Sequence, residues 1–288
     1  MDVNKKGGLE LMAKMLKDTL KTIEKYKNSS PHYEELLDIL EEILILREEY
    51  RHNMNESIFQ IDEELIEKKL SGGLTLVDFS GGKFDLAKPK KYFLALLKIA
   101  EKQTPDETRK FAQKVKKGTT DYEKMIRDSF TISNDEETLK ELEDESLDLV
   151  ELFLEESLRP ALEILAEKYG KIIGESEWSE GYCPICGKEP KIGTLRGEGG
   201  QRFLFCSQCG LEWNFMRIKC PFCGNEEQQT LAYFTVEDDE KYRVDVCNVC
   251  KRYVKTVDFR KIKEEPNLDV ETIATLHLDM LANEEGYM

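Results

Sequence analysis

Every cysteine in this 288-residue chain belongs to a CxxC pair, and the four pairs are confined to positions 183–250. They read Cys183-Pro-Ile-Cys186-Gly, Cys206-Ser-Gln-Cys209-Gly, Cys220-Pro-Phe-Cys223-Gly and Cys247-Asn-Val-Cys250-Lys. Two intervening residues let both sulfurs of such a knuckle turn toward one ion. A glycine directly after it relieves the tight backbone, because glycine takes positive φ without a Cβ clash. Gly187, Gly210 and Gly224 meet that need; Lys251 departs from it, which predicts a looser fourth knuckle. Nineteen residues separate Cys186 from Cys206, within the usual four-cysteine spacing, and 23 separate Cys223 from Cys247, which suggests an extended hairpin.

The candidate metal ligands are therefore Cys183, Cys186, Cys206, Cys209, Cys220, Cys223, Cys247 and Cys250, holding two ions per chain. Pairing knuckle one with two and three with four is simplest. A cross-braced arrangement, one with three and two with four, stays open but must interleave two long loops. Tetrahedral S₄ coordination suits iron and zinc alike. Such sites are coordinatively closed, so they shape protein surface and do not activate water. Each ion contributes on the order of 10 kcal/mol to folding, more than a small β module gains by burial. The helical part has apolar faces of its own and is expected to keep its fold when a ligand is lost.

The rest of the composition narrows the setting. No apolar run is long enough to span a bilayer, since Phe93 to Ala100 is interrupted by Lys98. The start, MDVNKKGGLE, has lysines but no apolar stretch behind them, so no secretory signal is expected and a cytoplasmic location is. Thiols there stay reduced, which favours metal over disulfides. From Trp178 to Arg260, 12 basic and 12 acidic residues balance, so the net charge of −16 lies elsewhere. That negative field repels phosphate backbones and anionic membranes, which argues against a nucleic-acid partner and against membrane insertion.

The N-terminal part reads as helices. Leu9, Met12, Leu16, Leu20 and Ile23 recur on one helical face. Ser30-Pro31 with Glu34 and Glu35 marks a helix start, and Leu36, Leu37, Leu40, Ile43 and Leu44 continue the stripe. Glycines break the pattern between Ser71 and Pro89, where Leu74, Leu76 and Phe79 suit a short extended stretch. Tyr92 to Gln103 is a further helix; Ser133 with Glu136 caps another running to about Glu156. Pro160 is expected to open or kink the last one, and Gly170 to end it. Beyond Trp178, strand-like runs appear at Arg202–Phe205, Leu231–Val236 and Tyr242–Val246, and one final helix is expected from about Leu268 to Glu285.

Little else carries chemistry. Of the histidines His32, His52 and His277, the last borders an apolar stripe of Ile273, Leu276 and Met280 and reads as a half-exposed core residue. No nucleophile elbow, P-loop or dinucleotide fingerprint is present, so no catalytic residue is assigned and the chain is not read as an enzyme. The acidic runs Asp135–Glu137 and Glu141–Glu145 read as a solvated helix face, and Trp178 and Trp213 as core anchors.

One resemblance spans these features. Tyr182-Cys-Pro-Ile-Cys-Gly with Pro190, then Gly200-Gln-Arg-Phe-Leu-Phe-Cys-Ser-Gln-Cys-Gly-Leu-Glu-Trp213, resembles the formate dehydrogenase accessory protein (FdhE) family. Arg217, the third knuckle, Val246-Cys-Asn-Val-Cys-Lys-Arg-Tyr-Val-Lys255 and the tail Thr272–Tyr287 continue the likeness over about 110 residues. The resemblance implies an α+β chain: an all-helical domain (1–176), two rubredoxin-like or zinc-ribbon β modules (177–218 and 219–262) and a C-terminal helix (263–288). It implies an accessory protein, binding iron or zinc, that holds the catalytic subunit of molybdenum- or tungsten-dependent formate dehydrogenase during maturation. A groove between domains is the expected docking place. The alternative is a rubredoxin-like electron-transfer protein, because an iron tetrathiolate can cycle one electron.

Overall fold

The computed structural model describes residues 3–102, 105–131, 144–236, 240–262 and 267–288. Ser133 and Glu136, with the acidic run 135–137, lie outside the described residues, as does the run 141–145 up to residue 143.

Helix α1 (Val3–Ser29) leads through a 3₁₀ turn at Pro31–Tyr33 into α2 (Glu34–Arg51). Pro31 stands at the first position of that turn, where its missing N–H costs nothing. The α2 stripe buries Leu37, Leu40, Ile43 and Leu44, while Leu36 falls on the outer side and is exposed. After α3 (Ile66–Ser71) the glycine-rich segment forms bends and no strand. It is held by a foreign partner: the Leu76 and Val77 amides donate to the Pro184 and Ile185 carbonyls of the first knuckle, at 2.9 and 3.0 Å. Helix α4 (Ala87–Ala100) starts five residues before Tyr92, with Pro89 in its first turn. Helices α5 (Pro105–Lys117) and α6 (Tyr122–Phe130) follow, the latter capped by Asp121, whose carboxylate accepts from the Lys124 amide.

Pro160 and Gly170 do not interrupt the next element. Helix α7 runs unbroken from Asp144 to Glu175 with Pro160 inside it. A mid-helix proline costs about 3 kcal/mol. Here Phe153, Leu154 and Leu158 before it and Ala161, Leu162, Leu165 and Ile173 after it are all buried in one core. Large buried side chains contribute about 1.5–3 kcal/mol each, so packing outweighs the local penalty. Gly170 lies within the same unbroken helix, where a Cβ would make only ordinary contact with Leu211 Cδ1 at 3.7 Å.

The strands are β1 (Ile192–Arg196), β2 (Gln201–Phe205), β3 (Glu212–Asn214), β4 (Leu231–Phe234), β5 (Tyr242–Cys247) and β6 (Tyr253–Asp258). They form one six-stranded sheet in the order β3-β2-β1-β6-β5-β4. All neighbours are antiparallel except β1 and β6, which pair in parallel from Ile192↔Lys255 to Leu195↔Asp258. That parallel seam joins the strands of the two cysteine units.

The single C-terminal helix expected from the sequence is two helices, α8 (Leu268–Ala274) and α9 (Leu276–Glu284). Asn267 caps α8 by accepting from the Asp269 and Val270 amides. Thr275 breaks the run, its hydroxyl donating back to the Glu271 carbonyl at 2.6 Å and competing with the backbone ladder. Leu268, Leu278 and Ala282 cover one face of the sheet over Ile192, Val244 and Val257. Ile273 and Leu276 pack toward α1 and α2, whereas Met280 is exposed.

Candidate metal centre

The four knuckles share one backbone construction. The carbonyl of each first cysteine accepts the amide four residues on: Gly187 to Cys183 at 2.9 Å, Gly210 to Cys206 at 2.9 Å, Gly224 to Cys220 at 3.0 Å and Lys251 to Cys247 at 2.9 Å. The amide of each first cysteine donates to the carbonyl five residues on, in Lys188, Leu211, Asn225 and Arg252, at 2.8–3.0 Å. This closure needs positive φ at the residue after the second cysteine. Gly187, Gly210 and Gly224 have φ of 77, 72 and 71°, and Lys251 has 59°. The fourth knuckle is therefore as tight as the others. Lys251 bears the left-handed cost of about 1–2 kcal/mol, because the closing bonds demand it.

Knuckles one and two come together, as do three and four, in the sequential pairing. The thiols of Cys183, Cys186, Cys206 and Cys209 lie within 4.8 Å of one another, and those of Cys220, Cys223, Cys247 and Cys250 do likewise. The closest sulfur pairs are Cys183–Cys209 at 3.4 Å, Cys186–Cys206 at 3.5 Å, Cys220–Cys250 at 3.6 Å and Cys223–Cys247 at 3.7 Å. A tetrahedron with 2.3 Å metal–sulfur arms has edges of about 3.8 Å, so both sets fit a tetrathiolate ion closely. No histidine or carboxylate joins either group among the described residues.

Their surroundings differ. The first four thiols are fully buried and belong to the same core as α4 and α7. Trp178 and Trp213 are part of that core, their indole N–H groups donating to the Tyr182 and Glu180 carbonyls at 3.2 Å. Helix α7 also braces this centre by hydrogen bonds. Arg159 donates to the Ser207 carbonyl, Gln208 donates to the Glu155 carbonyl at 2.7 Å, and Lys188 pairs with the Glu155 carboxylate. In the second group Cys223 is exposed and Cys250 half-buried. Arg252 lies over the Phe222 ring at 3.7 Å and forks onto Glu189 at 2.8 and 2.5 Å, linking the two units.

The thiols do not share one acidity. Burial pushes Cys186 and Cys209 well up, with bonds to Cys183 and Cys206 adding to it in both. Burial opposes ionisation of Cys206 too, but bonds from Cys183, Cys186, Cys209 and the Gln208 amide outweigh it and hold that thiol well down. In the second group burial pushes Cys220 up to about 12, whereas the Cys250 and Val249 amides hold Cys247 at about 7 against burial. Without an ion, four close sulfurs divide a few protons unequally; a cation replaces those protons. Asn225 was not singled out from the sequence, yet its side-chain amide donates to Cys247 Sγ at 3.7 Å and to the Thr230 hydroxyl at 2.7 Å. Its position directly after Gly224 is the signal that could have found it.

A helical N-terminal region, a mixed sheet carrying two four-cysteine groups and closing C-terminal helices define a paired-tetracysteine α+β protein. The description "FdhE, central domain" matches residues 182–217 and "FdhE, C-terminal domain" matches residues 218–288. The two FdhE domains thus account for residues 182–288 of this chain. A protein FdhE homolog of Aquifex aeolicus is 28% identical over 265 residues, covering 91% of this chain and 88% of the relative. One from Pseudomonas aeruginosa is 37% identical over 119 residues, 38% of each chain. The crystal structure of the FdhE protein from Pseudomonas aeruginosa superposes with a TM-score of 0.64 at 20% identity, over 93% of this chain and 90% of that one. That likeness establishes the fold. No helix among the described residues is long and apolar enough to cross a membrane.

Proposed function

We propose that the chain is a metal-binding accessory protein, a chaperone that binds the catalytic subunit of molybdenum- or tungsten-dependent formate dehydrogenase during its maturation. In this reading Cys183, Cys186, Cys206 and Cys209 hold one ion, and Cys220, Cys223, Cys247 and Cys250 the other, iron or zinc. The chain works in the cytoplasm, performs no catalysis, and engages neither nucleic acid nor the membrane interior. The observation that carries the reading is the closed four-sulfur geometry of both groups in a chain that matches two FdhE domains. A bound tetrathiolate ion supplies rigidity to the knuckles and leaves no coordination position for a substrate. What remains is surface. Val249 and Tyr233 on the second cysteine unit, and Ile218 just before it, are large, exposed apolar side chains, and such residues suit a client-binding face.

Deleting the gene in the native host should lower formate dehydrogenase activity while the enzyme's polypeptide persists. The metal-loaded chain should also retain the catalytic subunit in pull-downs. Full activity in the deletion strain, with no association at low salt, would overturn the reading. The exposed Cys223 favours a second reading, electron transfer through an iron site. Visible absorption that bleaches reversibly with dithionite supports it; a colourless zinc protein eliminates it.

A further inference from the structure

In a chain of net charge −16, a cationic cavity lies where the two cysteine units meet. It measures about 40 Å³, lies against Cys220 and Cys247, and is lined by Arg202, Arg217, Lys219 and Arg252. The acid in its lining, Asp245, is already engaged by Arg243 at 2.9 Å and by the Thr256 hydroxyl at 2.5 Å. Arg252 is committed to Glu189, and Lys219 stands 3.5 Å from Glu226. Arg202 and Arg217 are different. Among the described residues their hydrogen bonds go to backbone carbonyls alone, those of Lys219 and Gly199, both at 3.1 Å.

Arg202 is the decisive side chain. It is 4% exposed, yet its Nε has no acceptor. Arg243, next to Asp245 on β5, also has a buried Nε without one. A buried charged donor left unpaired is costly, so native proteins supply water or an anion there. Guanidinium is suited to the second, because its planar fork matches two oxygens of a carboxylate or oxyanion. A water needs about 10–15 Å³ by this measure, so the cavity holds about three waters or one small oxyanion.

We propose that this cavity is an anion site taking one small oxyanion or carboxylate, gripped by the Arg202 fork with the exposed Arg217 as outer cation. It is independent of whether the chain binds formate dehydrogenase. The rival role for Arg202 is counter-charge to the neighbouring thiolates. The two roles separate experimentally, because Arg217 is at the surface and its replacement leaves the fold intact.

The test is calorimetric titration of sulfate, and separately acetate, into the zinc-loaded full chain at fixed ionic strength. One saturable site per chain is expected. Arg217→Gln should weaken it about threefold, and Arg202→Gln at least tenfold, with two zinc ions retained in both variants. Displacement of sulfate by a glutamate-rich peptide would trace the natural carboxylate to a partner's side chain; sulfate binding that the peptide leaves untouched would trace it to a free solute. Heats no larger than dilution in the unmodified chain overturn the proposal. So does unchanged sulfate affinity in Arg217→Gln together with zinc loss in Arg202→Gln, which assigns Arg202 to the metal cluster alone.

Discussion

Arg159 of α7 donates to Asp269 of α8 at 2.6 Å, binding the 32-residue helix to the first turn of the C-terminal pair. The same guanidinium reaches the Ser207 carbonyl inside the second knuckle. Arg47 of α2 stands 3.3 Å from Asp269 and forks onto Glu156 at 2.7 and 2.8 Å. One buried ionic network thus touches α2, α7, α8 and the first four-cysteine group. Burying charges is costly, and removing one partner strands the others.

Replacing Asp269 by asparagine should therefore destabilise the chain by about 3 kcal/mol in urea unfolding at pH 7. Burial pushes this carboxyl up, but Arg159 and Arg47 outweigh it and hold it below its usual 3.8. Its contribution is complete above about pH 4 and disappears as pH falls through the lower folded-state value. The gap between the unmodified chain and Asp269→Asn should accordingly narrow in acid. A loss near zero at pH 7 would mean that the network contributes no stability.

Lys251→Gly should stabilise the fourth knuckle. The substitution relieves a left-handed residue at φ 59°, worth about 1–2 kcal/mol, and gives back about 0.5–1 kcal/mol in backbone entropy. A net gain of about 0.5–1 kcal/mol is expected from thermal unfolding of the metal-loaded chain. Lower stability would show that the bond from Lys251 Nζ to Asn248 at 3.3 Å outweighs the strain.

The two centres should lose metal at different rates. Cys223 is exposed and Cys250 half-buried, whereas the first four thiols are sealed in the helical core. Chelator challenge followed by colorimetry should give two phases about tenfold or more apart, and Cys223→Ser should remove the fast one. A single phase in the unmodified chain would contradict the difference in burial.

Loss of the first ion should also reach the helices. The sequence led us to expect that the helical part survives ligand loss, but Cys183, Cys186, Cys206 and Cys209 share a core with Phe153, Leu158 and Leu162. Cys209→Ser should therefore lower the cooperativity of helix unfolding, measured by far-ultraviolet circular dichroism against denaturant. Unfolding of the helices unchanged in midpoint would show that the shared core does not couple them.

Gly181→Ala probes the contact between the cysteine units. A Cβ there would stand 1.8 Å from the Pro221 carbonyl oxygen, which is backbone and cannot rotate away. Destabilisation of about 3 kcal/mol or more is expected by the same unfolding assay. A neutral effect would mean that the third knuckle can shift freely.

What the sequence by itself determined is local. Spacing within each CxxC pair and the glycines after three of them specify four knuckles, but only the structure brings knuckle one to two and three to four. Helical periodicity likewise specifies α1, α2 and α4, because a stripe of apolar side chains needs only its own backbone to be recognised. The tertiary structure decided the rest. Pro160 stays inside α7 because residues far along the chain bury both halves of that helix. Lys251 takes a glycine's conformation because two hydrogen bonds close around it. Strands β1, β3 and β6 gave no clear signal: β1 and β6 are almost wholly buried and so lack alternation, and β3 has only three residues. Their parallel seam at Ile192↔Lys255 merges two units that read as separate along the sequence. Such contacts join residues some 60 positions apart, and their free energy exists only once both partners are in place.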